Sequence, residues 1–248
     1  DPGIDPAQNE EPADYFDTQL WTGTGSGQSL SNFSFQPDWL WFKHRNGGSD
    51  HAIFDSIRGV NAGLSSNNSS AENTSASGSQ DLVSFDNDGF TTGTPSQYGS
   101  LGSNTNTIVT WAWRGGGSAS SNSEGSITSS VSANTEAGFS IVSYTGTGSA
   151  GTVGHGLSSA PEMIIQKMRN PSSAENWTVF HKDLTSANHA LRLNLTNAQF
   201  DGSGNYFSAT SSTTFSIGST SQVNENTKTS IAYCFHSVDG YSKIGSYT

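Results

Sequence analysis

The chain has very little cysteine, few basic residues and no long apolar run, and each shortage excludes a class of protein. Its single cysteine, Cys234, cannot form a disulfide bond within the chain. Ten Lys and Arg residues stand against 21 Asp and Glu residues, so the formal net charge is −11 and a phosphate backbone would be repelled. No apolar segment approaches the roughly 20 residues that a membrane-spanning helix needs. We therefore expect neither a nucleic-acid partner nor insertion into a membrane.

Patterns of catalytic and metal-binding residues are also missing from the sequence. It has no Gly-x-Ser-x-Gly nucleophile elbow and no phosphate-binding loop. The six histidines form no close pair of the kind that zinc sites use. Acidic residues lie singly along the predicted strands, whereas glycoside hydrolysis needs two carboxylates that face each other across a cleft. We expect a protein that is not an enzyme and that binds no cofactor.

What the sequence does contain is a series of short apolar segments separated by polar turns. Gly, Ser, Thr and Asn are abundant, and charged residues make up only 12% of the chain. Aromatic and β-branched residues recur in segments of strand length, and helical periodicity is almost absent. Residues 86–89, with the sequence DNDG, lie between Phe85 and Phe90 and are typical of a hairpin turn. The sequence therefore predicts an all-β fold.

One predicted strand occurs twice in the chain. Residues 37–46 have the sequence PDWLWFKHRN and residues 161–170 have the sequence PEMIIQKMRN. Each follows an aromatic-Thr-Gly-Thr-Gly-Ser segment, at residues 21–26 and 144–149. A repeat of this kind predicts internal duplication, with two tandem antiparallel β-sandwich units of the jelly-roll or concanavalin-like type. The alternative is a single concanavalin-like sandwich built from both halves of the chain.

The repeat also sets the predicted domain bounds. We predict an acidic N-terminal arm at residues 1–13, a first sandwich unit at 14–117, a Ser- and Gly-rich linker at 118–136 and a second unit at 137–248. Within the first unit, the polar residues 61–80 are predicted to form a long surface loop, and residues 62–64 are a candidate for a short strand within it.

The last eight residues repeat the pattern with which the second unit begins. Residues 241–248 resemble residues 139–145, so they predict the first strand of a third repeat. Either the parent chain continues further, or this strand is used by the second unit or by a neighbouring subunit. An unpaired strand of this kind is a template for pairing with a neighbouring subunit. Tyr241, Ile244 and Tyr247 are the residues that we assign to this assembly strand.

Two sets of residues are candidates for ligand contacts. An exposed aromatic ring on a loop can stack on a sugar, and Trp177 and Tyr98 are the candidates for glycan binding. Asp86 and Asp88 resemble the beginning of a calcium-binding loop, although the later bidentate Glu of an EF-hand is missing. A tight turn is the favoured interpretation of these two residues, and a structural Ca²⁺ ion is the alternative.

Several further segments belong together with the repeated strand. In the first half they are residues 14–18 (DYFDT), 35–43 (FQPDWLWFK), 54–59 (FDSIRG), 84–91 (SFDNDGFT) and 111–114 (WAWR). In the second half they are residues 152–157 (TVGHGL), 193–196 (LNLT) and 240–242 (GYS). This set of segments resembles a repeat family of virion and tail-fibre-like structural proteins from marine and cyanobacterial tailed bacteriophages. The family often occurs beside concanavalin-like, SPRY-type modules.

The resemblance implies a structural or host-attachment protein on the virion surface, in an extracellular location. A tail-fibre or capsid-surface component would assemble as a homo-oligomer or with other virion proteins, and would contact host-surface glycans. The resemblance supplies no catalytic residue. The alternatives are a dedicated carbohydrate-binding lectin module, an extracellular filament or surface-layer subunit, and an enzyme on a concanavalin-like sheet.

Overall fold

A computed structural model of the chain describes residues 11–74, 81–94 and 101–247, and these residues form antiparallel β-sheets with two short helices. The strands of the N-terminal half are β1 (Phe16–Thr22), β2 (Gln28–Ser31), β3 (Trp39–His44), β4 (Ala52–Asp55), β5 (Ala62–Ser65), β6 (Asn73–Thr74), β7 (Leu82–Asp86), β8 (Gly89–Thr92) and β9 (Thr107–Trp113). Those of the C-terminal half are β10 (Ser120–Asn122), β11 (Ser129–Asn134), β12 (Phe139–Thr145), β13 (Gly151–Gly154), β14 (Met163–Met168), β15 (Thr178–His181), β16 (His189–Arg192), β17 (Phe200–Asp201), β18 (Phe207–Thr210), β19 (Thr214–Ile217) and β20 (Thr229–Phe235). A 3₁₀ helix spans Pro12–Asp14, and helix α1 spans Ser221–Asn224.

Each half of the chain contributes one large sheet and one small sheet. The N-terminal large sheet has the strand order β1-β9-β3-β4-β5-β6, and the N-terminal small sheet has the order β2-β8-β7. The C-terminal large sheet has the order β10-β11-β12-β20-β14-β15-β16-β17, and the C-terminal small sheet has the order β13-β19-β18. The predicted all-β sandwich is therefore confirmed, and so is the hairpin of β7 and β8 around residues 86–89. No helix in the described ranges has the length and apolar character needed to cross a bilayer.

The apolar side chains are buried in three layers between these sheets. The two large sheets face each other across a central core, which we call the seam. The N-terminal large and small sheets enclose a second core, and the C-terminal large and small sheets enclose a third. Because the seam draws side chains from both halves, the halves are packed against each other rather than joined only by a linker.

Strand β3 explains why the repeated segment has four consecutive large apolar residues, at positions 39–42. Successive side chains of a strand point to opposite faces of the sheet. Trp39 and Trp41 accordingly point into the seam, whereas Leu40 and Phe42 point into the core under the N-terminal small sheet. The Trp39 ring stacks on Tyr233 of the other half, with 4.3 Å between ring centroids. Both faces of the strand are covered, so both sets of alternating residues are apolar.

The two halves share their strand order. In the C-terminal large sheet the order β12-β20-β14-β15-β16 repeats the order β1-β9-β3-β4-β5, and the two small sheets correspond in the same way. The register corresponds too, because Trp39 pairs with Trp113 where Met163 pairs with Phe235. This correspondence is what a duplication would produce. Common ancestry of the halves and the predicted unit bounds remain predictions.

The segment between the two predicted units contains two strands. Within residues 118–136, β10 and β11 extend the C-terminal large sheet beyond β12. The segment is therefore part of the C-terminal large sheet, and its assignment as a linker between two units remains a prediction. Its Ser-rich composition is compatible with a strand because Val131 is buried, whereas small polar side chains cover the rest of the sheet edge. The N-terminal large sheet has no such extension among the described residues, since its strand order begins at β1.

Candidate functional site

A network of buried charged groups lies where the two large sheets meet. We call it the seam network, and its members are Asp55, Arg58, Glu72, Arg169 and Tyr233. Asp55 ends β4, and the turn that follows brings Arg58 back over it. The backbone N–H and the side-chain Nε of Arg58 both donate to the Asp55 carboxylate. The side chains of both residues are fully buried.

The seam network joins the two halves of the chain through direct hydrogen bonds. The Tyr233 hydroxyl donates to Asp55 Oδ2 at 2.7 Å and accepts from Arg58 Nη2 at 3.2 Å. The Arg169 guanidinium donates to both carboxylate oxygens of Glu72, at 2.8 Å each. Glu72 also accepts a bond from Arg58 Nη1 at 3.2 Å. Such two-pronged Arg–carboxylate pairs fix geometry as well as adding energy.

The pKa values in the seam network follow from this pairing. Burial alone would lower the pKa of Arg58, but the charges of Asp55 and Glu72 outweigh burial and raise it. Burial alone would raise the pKa of Glu72, but the hydrogen bond from Arg169 and the charge of Arg58 hold it below its usual range. The charged groups of the seam network thus form hydrogen bonds and ion pairs with one another, which favours a structural role in holding the two halves together.

Lys167 is a buried cation close to the seam network. It lies on β14, and its Nζ donates to the Met168 carbonyl at 3.0 Å. Burial lowers the pKa of Lys167 to about 8, although the charges of Glu175 and Glu72 oppose the shift. A lysine with such a pKa can act as a nucleophile or base where a substrate reaches it. Here the side chain is wholly enclosed, which favours a structural role.

A polar cleft of about 570 Å³ opens at one end of the seam. We call it the seam cleft. It is lined by Ser34, Phe35, Gln36, Asp38, Asn87, Arg114, Gly115, Gly116, Gly117, Ala133, Asn134, Thr135 and Glu136. Asp38 is buried, and its Oδ2 accepts the Gly115 N–H at 2.8 Å. Burial raises the pKa of the Asp38 carboxyl, although the hydrogen bond from the Gly115 N–H and the charge of Arg114 oppose the shift.

The rim of the seam cleft presents groups of both charges. The Arg114 guanidinium lies 5.9 Å from the centre of the Tyr15 ring, and the Tyr15 hydroxyl donates to Glu136 Oε2 at 3.1 Å. Arg114, Glu136 and Asn87 are exposed. A cation, a carboxylate and an amide at one opening can donate hydrogen bonds to a polar uncharged ligand and accept hydrogen bonds from it.

The predicted glycan-binding role of Trp177 is wrong, because its ring lies inside the seam. Trp177 is 0% exposed, and its indole N–H donates to the Ser65 carbonyl at 2.8 Å. The ring lies parallel to that of Tyr233, at 6.5 Å between centroids. Burial of a large aromatic ring is favourable, so the Trp177 ring packs between the two halves and is not displayed on the neighbouring loop. The other candidate, Tyr98, lies outside the described residues.

Asp86 and Asp88 occupy the hairpin turn between β7 and β8. The Asp86 carboxylate accepts a bond from the Thr91 hydroxyl at 2.8 Å, and the Asp88 carbonyl accepts the Phe33 N–H at 3.0 Å. Across the described ranges, no group of three or more His, Cys, Asp or Glu side chains is placed to hold a metal ion. The favoured interpretation, a tight turn, accounts for both residues.

The predicted strand at the end of the chain does not form in this structure. Residues 243–247 have no regular secondary structure, and only Ser242 forms an isolated bridge, with Val238. The Tyr241 ring packs against Tyr15 at 5.9 Å, and the Ile244 N–H donates to Ser237 Oγ at 2.9 Å. Tyr247 is 99% exposed. The assignment of these residues to assembly with a neighbouring subunit remains a prediction.

Sequence reasoning missed the seam network. The spacing of Asp55 and Arg58 before Gly59, which has a positive φ of 83°, was a signal for a salt-bridged turn. The pairing of Glu72 with Arg169 had no such signal, because 97 residues separate the partners.

Comparison with known proteins assigns the chain to a family without assigning a function. No curated protein and no solved structure gives a match. One family model, described as a domain of unknown function, matches residues 11–248 and therefore almost the whole chain. The chain belongs to this family, DUF7483.

Proposed function

We propose that the chain is a non-enzymatic structural module of a bacteriophage virion surface, in a tail fibre or on the capsid. It assembles there with copies of itself or with other virion proteins. The proposal rests on the positions in the fold of the segments that resemble the bacteriophage repeat family. Residues 54–59 supply Asp55 and Arg58 of the seam network, residues 35–43 supply the central strand β3, and residues 111–114 supply the end of β9.

These segments therefore shape the scaffold rather than a reactive centre. Side chains such as Trp39, Phe42 and Phe90 are buried in the cores, and the charged members of the seam network bond to one another. A module of this kind resists deformation and displays polar loops for contact. Its formal charge of −11 favours solubility in an assembly where many copies lie close together.

Immunogold electron microscopy tests the proposal directly. Antibodies raised against the purified chain are applied to virus particles and to cell-surface fractions from the source culture. We expect gold on the virion surface, at the tail or the capsid. Label confined to cell-surface filaments or layers would support the filament alternative, and label confined to the soluble fraction would contradict a structural role on the particle.

A second candidate function, carbohydrate binding, is favoured by the seam cleft. Its volume lies within the usual range for ligand sites, and Arg114, Asn87 and Glu136 can form hydrogen bonds to sugar hydroxyls. A glycan array with the wild-type chain and Arg114→Ala is the test. Arg45→Ala is the matched control, because Arg45 is exposed beyond the opposite end of β3. If the wild-type chain binds no glycan, or if Arg114→Ala binds as well as the wild type, carbohydrate binding at the seam cleft is excluded.

A further inference from the structure

The N-terminal half has an open groove between the edges of two sheets. Strand β1 is the outer strand of the large sheet, and β2 is the outer strand of the small sheet. A space of about 600 Å³ lies between them and is lined by residues 17–21 and 28–32. We call this space the edge groove. Leu20, on β1, is 63% exposed.

The corresponding position in the C-terminal half is occupied by the chain itself. Strand β11 pairs with β12 over six residues, with Val131 opposite Val142. Just before β11, Ile127 forms a parallel bridge with Val153 of β13. Ser126 Oγ accepts the Thr152 N–H at 2.9 Å, so the same segment is also tied to the small sheet. Residues 126–134 thus close the gap between the two sheets of that half.

The strand registers show which residues of the edge groove correspond to this filled site. Leu30 pairs with Phe90 in the N-terminal small sheet as Val153 pairs with Phe215 in the C-terminal one. Leu30 is therefore the counterpart of Val153, the residue to which Ile127 is bridged. A segment placed in the edge groove as residues 126–134 are placed in the other half would contact Leu30.

The edge of β1 presents backbone groups for such a segment. The Tyr15 carbonyl and the Gly23 N–H both bond to residues beside β9, namely Arg114 and Asn106. Alternate residues of a strand direct their backbone groups to opposite sides, so Thr18 and Leu20 direct theirs away from β9. The Thr18 N–H bonds to the side chain of Asp17, a local substitute for a strand partner. Leu20 lies at the centre of the open edge.

We propose that the edge groove binds an extended polypeptide segment of a different protein in the assembly, which adds to β1 as an extra strand. Residues 126–134 close the corresponding gap in the C-terminal half. From their sequence we infer that the partner segment is uncharged and Ser/Thr-rich, with two aliphatic residues four positions apart, as in Ile127 and Val131. The chain's own first residues have the wrong chemistry, because Pro2, Pro6 and Pro12 lack an N–H and acidic residues surround them. The inference rests on the assembly role proposed above and names the partner's chemistry.

Fluorescence anisotropy with a labelled peptide of residues 125–134 (GSITSSVSAN) and the whole chain tests the inference. We expect saturable binding. Leu20→Pro removes the N–H that faces away from β9 and should weaken binding by about tenfold or more, since a ladder bond is lost and the pyrrolidine ring obstructs its neighbours. Leu20→Val retains the N–H and should bind like the wild type. A peptide carrying Asp in place of both Ile127 and Val131 is the matched control and should bind weakly.

Hydrogen exchange of the wild-type chain provides a readout that does not depend on a variant. Peptide binding should slow exchange at the outward-facing amides of β1, including that of Leu20. The inference is overturned if the peptide does not bind, if Leu20→Pro binds as tightly as Leu20→Val, or if β1 exchange is unchanged. Self-association that Leu20→Pro abolishes, without peptide binding, would assign the groove to a second copy and also overturn the inference. Peptide binding without label on virions would overturn the proposed function and leave this inference standing.

Discussion

The Glu72 carboxylate of the N-terminal half receives two hydrogen bonds, each 2.8 Å long, from the Arg169 guanidinium of the C-terminal half. Glu72 also accepts from Arg58, whose guanidinium reaches Tyr233 across the seam. A single carboxylate thus lies between two guanidinium groups of different halves. This placement makes the packing of the halves sensitive to the removal of any one member.

Arg58→Met should destabilise the fold by about 3–5 kcal/mol, because it leaves the buried Asp55 carboxylate without its cation. Urea unfolding monitored by tryptophan fluorescence measures the change. Lys182→Met is the matched control, since Lys182 forms its ion pair with Glu162 at the surface and its loss should barely move the midpoint. Equal effects of the two substitutions would contradict the structural role of the seam network.

Lys167 should make stability depend on pH in the alkaline range. The pKa of Lys167 is about 8 in the folded chain against 10.5 for an ordinary lysine, so the unfolded chain binds more protons between these values. The free energy of unfolding contributed by this group therefore rises with pH. Relative to Lys167→Met, the wild type should gain about 2 kcal/mol between pH 7 and pH 9.5. A difference between the two proteins that stays constant with pH would show that Lys167 is not buried as described.

Gly89 should tolerate no side chain, because β8 approaches β2 closely at this residue. A Cβ atom there would lie 1.8 Å from the Leu30 carbonyl oxygen, and backbone cannot yield as a flexible side chain does. Gly89→Ala should cost about 2 kcal/mol or more through overpacking. Gly48→Ala is the control, since nothing lies within 4 Å of its Cβ position. Thermal melts of both variants measure the difference, and similar melting temperatures would refute the close approach of β2 and β8.

Cys234 should be unreactive in the folded chain. Its side chain is buried in the core under the C-terminal small sheet, and burial raises the pKa of the thiol. The disulfide reagent DTNB at pH 8 should therefore modify Cys234 only after unfolding in denaturant. Rapid modification of the native chain would indicate an accessible thiol and would contradict the packing of β20.

The repeated strands and the hairpin could be predicted because their signals are local. Alternation of Trp39 and Trp41 with Leu40 and Phe42 predicts a strand from neighbouring residues alone. The packing of the halves could not be predicted in this way. Glu72 lies within residues 61–80, whose polar composition predicted a surface loop, and its partner Arg169 lies far along the chain. Trp177 was misassigned for the same reason, since its burial depends on a surface of the other half.

Native-state hydrogen exchange is the most direct test of the central claim that the seam joins both halves into one structural unit. Exchange is followed at the amides of β9 and of β20, each an interior strand of its own large sheet, in rising concentrations of denaturant. We expect the slowest amides of both strands to converge on one global unfolding free energy, which Arg58→Met lowers equally for both. Opening of β20 while β9 stays protected, or a shift confined to one strand, would contradict it.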